Sequence, residues 1–197
     1  MSYHHLLYLL FFFLNFSGTP TPEKVAVTAT IKTDVHSTNE DGEFIPWNFS
    51  RRLQWDDFLC EPQRNTDAVA STSTSLGIAY QSEHGELTYK ITCNFSKNKS
   101  WGLLKTGYIL AHEQGHFDIT EIYARKLYKA LQEYQFNRRT YRKDVNDIYK
   151  GIVQEKEDMQ AAYDGETDHS RSRKVQNEWL RKIDQMLTET EPWAQYP

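Results

Sequence analysis

The stretch Ile109-Leu110-Ala111-His112-Glu113-Gln114-Gly115-His116-Phe117-Asp118-Ile119-Thr120-Glu121-Ile122-Tyr123 decides how the whole chain is read. It carries His-Glu-x-x-His, and its surroundings have helical periodicity. From Ile119 the apolar residues recur at Tyr123, Leu127, Ala130 and Tyr134, the three-and-four spacing of an amphipathic helix. At 100° per residue, two histidines four positions apart stand about 40° from each other. Both imidazoles can then reach one ion, with Glu113 to one side. Such a residue set is that of a zinc hydrolase, in which Glu113 is the general base and not a ligand. One inward histidine alone reads as a hydrogen-bonded core residue; two at this spacing, with a glutamate between, point to a metal. The same geometry predicts that Glu121, Arg125 and Lys129 face water.

Working outward, 197 residues suggest one domain with a sizeable core. Net charge is −4, and the basic clusters Arg51-Arg52 and Arg138-Arg139-Thr140-Tyr141-Arg142-Lys143 are short. They read as solvated surface, so no nucleic-acid partner is expected. Leu6 to Phe16 is an almost unbroken apolar run followed by Ser17, Gly18 and Thr19. It is shorter than the roughly 20 residues a bilayer span needs and suits a signal-peptide core. Residues 1–19 are therefore read as a signal peptide and 20–43 as a lead-in with a possible strand over Val25–Ile31. Export follows, to a secreted location or a cell envelope, with no stable membrane span once the signal is removed. The n-region has no Lys or Arg, which keeps an uncleaved anchor as the alternative.

Between the lead-in and the motif the pattern is β. Leu87, Tyr89, Ile91, Cys93 and Phe95 alternate with polar neighbours across 86–96, and 68–81 alternates more weakly. Ser82-Glu83-His84-Gly85 supplies the turn of an antiparallel hairpin. Phe44, Trp47, Phe49, Leu53, Trp55 and Phe58 read as core anchors. Cys60 and Cys93 would form one disulfide in an oxidising compartment, or stay as two buried thiols. After Trp101-Gly102 three long helices are expected, at about 103–136, 140–164 and 171–188, with Gly165 ending the second in a left-handed cap. The fold class is α+β: a small antiparallel sheet of three or four strands followed by three long helices. The domain spans 44–190, and 191–197 is a tail.

A catalytic zinc needs three protein ligands and an open position. Asp118 and Glu121 lie far round the helix from the two histidines. The candidates are then in 163–169: His169 first, Glu166 and Asp164 behind it, with helix capping the competing role of Asp164, Asp168 and Ser170. Tyr163 is the candidate donor to an oxyanion.

His112-Glu-Gln-Gly-His116-Phe-Asp118-Ile-Thr-Glu121-Ile-Tyr123-Ala-Arg125-Lys-Leu127, with Leu53-Gln-Trp55-Asp-Asp57-Phe58 upstream and Tyr163-Asp164-Gly-Glu166-Thr167-Asp-His169 downstream, resembles a bacterial domain-of-unknown-function family described as predicted secreted zinc-dependent proteases. The resemblance covers about 44–190 and implies a zincin-like fold with His-Glu-x-x-His on the first long helix. It also implies peptidase activity and favours His169 as third ligand. One departure is Ser170, where the family leads one to expect glycine; a positive φ there would strain serine and could displace His169. The expectation is an exported zinc metallopeptidase: Zn2+ held by His112, His116 and His169, Glu113 as base, and a peptide or protein as substrate. The rival is a non-catalytic, zinc-stabilised envelope binding protein. The oligomeric state is left open.

Overall fold

A computed structural model describes residues 42–63 and 66–197. The expected signal peptide at 1–19 and the possible strand over Val25–Ile31 fall outside the described residues. Within them the architecture is α+β. Strand β1 is Phe44–Pro46, β2 Ala70–Ser71, β3 Thr74–Glu83, β4 Glu86–Ser96 and β5 Trp101–Gly102; the helices are α1 Gly107–Glu133, α2 Tyr141–Thr167 and α3 Arg173–Glu189.

The expected hairpin is the centre of the sheet. β3 and β4 pair antiparallel from Thr74↔Phe95 to Glu83↔Glu86. His84 and Gly85 make the two-residue turn, with φ of 52° and 88°. Left-handed backbone at both positions matches the twist of the flanking strands. β1 adds to the far side of β4 through Ile45↔Phe95, giving the order β1-β4-β3. Pro46 closes that short edge strand, where a missing N–H costs no ladder bond. The stretch read as one strand over 68–81 is broken: β2 pairs separately with β5, Ser71 opposite Trp101.

Alternation in β4 decides what the sheet covers. Ile91, Cys93 and Phe95 are buried, while Glu86, Thr88 and Lys90 are not. The inner face meets Phe117, Ile119, Ile122 and Leu127 of α1 in one hydrophobic cluster. α2 contributes Val145, Met159 and Tyr163, and α3 contributes Trp179, Ile183 and Leu187. α1 begins at Thr106, whose Oγ1 accepts from the Ile109 amide at 3.2 Å. That cap lies three residues beyond the expected start, and Leu103 and Leu104 stand exposed before it.

Several expectations are corrected. Glu121 and Arg125 do not face water; they are buried at 1% and 4% exposure and paired at 2.8 Å. α1 is surrounded by the sheet, the other helices and the C-terminal segment, so little of it reaches solvent. The segment 191–197 is accordingly no loose tail: Tyr196 donates to Glu121 at 2.7 Å, and the Pro197 carbonyl accepts from the Ile91 amide at 2.7 Å. Gly165 does not cap α2, which continues to Thr167; Asp168, His169 and Ser170 follow with φ of 49°, 48° and 70°. Phe49 and Phe44 are exposed, whereas Leu53 and Phe58 are core as expected. Cys60 and Cys93 are free thiols.

Candidate metal centre

His112, Glu113 and His116 lie in the second and third turns of α1 and are shielded from solvent. Facing them is α2, which runs past Gly165 and so carries Asp164 on its last full turns. His112 Nε2 lies 3.1 Å and His116 Nε2 3.0 Å from Asp164 Oδ1, and the two imidazole nitrogens are 3.2 Å apart. These three atoms form a near-equilateral triangle that could hold a metal ion.

The chain arranges this triangle from behind. His116 Nδ1 donates to the Gln160 side-chain oxygen, which fixes the ring with Nε2 facing Asp164. Gln160 Nε2 donates in turn to the His116 main-chain carbonyl at 2.9 Å, so one side chain fixes both ring and helix. Tyr163 stacks on His112 at 4.5 Å between centroids, and its hydroxyl donates to the His112 carbonyl at 3.3 Å. Close approach of α2 to α1 depends on Gly115: a Cβ there would meet the Tyr163 hydroxyl at 2.6 Å. Behind α1, Asp118 accepts from Trp47 at 2.9 Å, Arg52 at 2.8 Å and Gln114 at 2.8 Å, while Gln114 accepts from the Leu53 amide at 2.7 Å. Residues 47–53 thus clamp α1 through Asp118 and Gln114.

Electrostatics follow from this packing. Burial pushes the Asp164 carboxyl up, but the two histidines outweigh it and hold it well below the ordinary carboxylate range. Burial pulls the His116 imidazole down; Asp164 and Glu113 more than compensate, and its pKa is raised. Glu113 is raised, because burial exceeds the pull of His116, Thr72 and His112. The Thr72 hydroxyl stands beside it, buried, outside hydrogen-bonding geometry with any described group.

The cluster opens into a cleft of about 670 Å³. One wall carries Thr72 and Thr74, leading into β3; the other carries Lys156, Gln160 and Asp164 of α2. His169 stands at the cleft with its side chain 59% exposed and Nδ1 3.8 Å from Asp164 Oδ1, outside the close triangle. Glu166 is turned away and accepts from Trp179 Nε1 at 2.8 Å. Tyr163 is fully buried behind the histidines. Gln160, Thr72 and Lys156 had no signal strong enough to single them out. Asp164 had one, as a carboxylate in the 163–169 segment that follows the second helix pattern, ranked behind His169.

Fold and site together define an α+β domain in which two packed helices close a His-His-Asp group able to hold a metal ion. Residues 53–170 match the profile of a family described as bacterial protein of unknown function, DUF922, and the chain belongs to that family. The match begins at Leu53, which anchors Gln114, and ends at Ser170, just past the left-handed turn. No curated protein and no solved structure matches the chain.

Proposed function

We propose that this protein is an exported zinc-dependent hydrolase, a metallopeptidase of zincin-like design, with His112, His116 and Asp164 as protein ligands and Glu113 as general base. The observation that carries the reading is the convergence of three donor atoms beside a buried carboxyl group that none of them needs for structure. Tetrahedral zinc with bonds of about 2.0–2.1 Å separates neighbouring N and O donors by about 3.3–3.4 Å, close to the 3.0–3.2 Å seen here. Two imidazoles and one carboxylate are also a usual catalytic zinc set, leaving room for water. His169, favoured by the family resemblance, is 3.8 Å from Asp164 and comes second to it as a ligand.

Zinc held there would lower the pKa of a water and polarise a substrate carbonyl. The chain's own residues do the rest. Glu113, raised by burial, accepts the proton of the attacking water and passes it to the departing amine. Gln160 holds the His116 tautomer. Tyr163 positions His112 by stacking and by its bond to the His112 carbonyl, which replaces the oxyanion role assigned to it from sequence. An extended peptide fits the cleft by lying along the Thr72–Thr74 wall towards β3, the outer strand of the sheet.

The test is zinc content beside peptide hydrolysis in four proteins. Wild type should bind one zinc per chain. Asp164→Ala should lose it, His169→Ala should keep most of it, and Glu113→Gln should keep zinc but lose turnover. Hydrolysis at wild-type rate by Glu113→Gln would remove the assigned base.

A further inference from the structure

Two helical turns before Asp164, α2 places a lysine in the same cleft. Lys156 lines it, yet its side chain is only 8% exposed. Lysine is almost never buried to this degree without a counter-ion. Its ion-pair partner among the described residues is Glu157, 2.7 Å away, whose own side chain is 58% exposed. A largely buried lysine side chain is thus answered by a carboxylate that can leave for water at small cost. Burial of one partner and exposure of the other makes the counter-ion replaceable: a carboxylate arriving in the cleft meets a cation held in place by a packed stem.

We infer that the Lys156 end of the cleft is an acid-recognition subsite for the substrate of the proposed hydrolase, and the inference rests on that reading. Glu157 occupies the place of the substrate carboxylate until one binds. Eight residues of helix separate Lys156 from Asp164, about 12 Å at 1.5 Å per residue. An extended peptide covers that span in about three residues at 3.3–3.6 Å each. The subsite therefore selects a carboxylate about three residues from the bond presented to Glu113, on an Asp or Glu side chain or at a peptide C-terminus. Gln160 lies between the two ends, so the helix that fixes the His116 ring also sets this spacing.

The experiment uses a mixed library of natural peptides with free C-termini, incubated with the zinc-loaded protein and read by mass spectrometry. Immobilised zinc-loaded Glu113→Gln retains uncut peptides from the same library as a second readout. Wild type should show Asp or Glu enriched about tenfold at one position about three residues from the cut, the fold-change of a hydrogen bond between charged groups. A chain-end source reads instead as cuts about three residues from peptide C-termini. Lys156→Arg should keep the preference, Lys156→Met should lose it while still cutting, and Lys156→Glu should turn it to Lys or Arg. Cutting or retention without an acidic preference overturns the subsite and leaves the hydrolase standing. No cutting and no retention overturns both.

Discussion

Ser170 holds φ of 70°, third in a run of left-handed residues after α2, and none of the three is glycine. Its carbonyl accepts from the Tyr108 hydroxyl at 2.7 Å, which pins the turn to α1. Left-handed backbone costs a residue with a Cβ about 1–2 kcal/mol. Ser170→Gly should therefore raise stability by about 1 kcal/mol, seen as a thermal midpoint a few degrees higher. Gly115→Ala should act in the opposite direction: the added Cβ meets the Tyr163 ring and hydroxyl, and overpacking of this kind costs about 1–3 kcal/mol. Because Tyr163 stacks on His112 and precedes Asp164, the same variant should bind zinc at least about tenfold more weakly. An unchanged zinc affinity would show that Tyr163 has no positioning role. The two cysteines can be told apart by labelling: burial, with Glu121 beside it, raises the Cys93 thiol well above its ordinary value. A thiol reagent at neutral pH should modify Cys60 in the native protein and Cys93 only after denaturation.

At the scale of elements, α1 is a buried helix with charges inside it. Arg125 donates to Glu121 at 2.8 Å and to the Leu187 carbonyl at 2.8 Å, and lies over the Trp47 ring. Such a pair contributes little net stability, yet breaking it is costly, because one charge is left buried alone. Glu121→Ala should lower unfolding free energy by about 3–5 kcal/mol. Tyr196→Phe, which removes the hydroxyl donating to the other Glu121 oxygen, should cost about 1–3 kcal/mol. Chemical denaturation of the two variants checks both; a Tyr196→Phe protein as stable as wild type would return 191–197 to the status of a tail. The β3–β4 hairpin was legible because its period of two survives in the residues, whereas β2 was merged with β3 in the reading of 68–81. α1 read correctly as a helix, but its buried charged face did not. Periodicity reports which side of a helix is apolar, and it carries no record of how many partners will surround it.

For the whole molecule, the question is whether metal holds the fold or only the site. The cluster joins α1 to the end of α2, while Phe95, Ile119, Ile122, Leu127 and Ile183 belong to a core that contains none of its three donor residues. Zinc at about 100 times its dissociation constant would add about 2.7 kcal/mol, or roughly 5–10 °C for a domain of this size. A chelator should therefore lower the melting temperature by that amount and leave circular dichroism at 25 °C unchanged. Collapse of the fold on chelation would favour the structural-zinc rival. Among the described residues no helix is long and apolar enough to cross a membrane.

Local order was written in the chain itself: the hairpin, the three helices, and His112, Glu113 and His116 at helical spacing on the first of them. These depend on spacing along the chain, which a sequence states directly. The third member of the cluster was decided only by tertiary structure. α2 passes through Gly165 instead of stopping there, because packing of Tyr163 and Thr167 outweighs one glycine's weak preference, and this carries Asp164 rather than His169 against the histidines. Which donor meets a metal is a matter of distance across two helices, and only the packed molecule sets that distance.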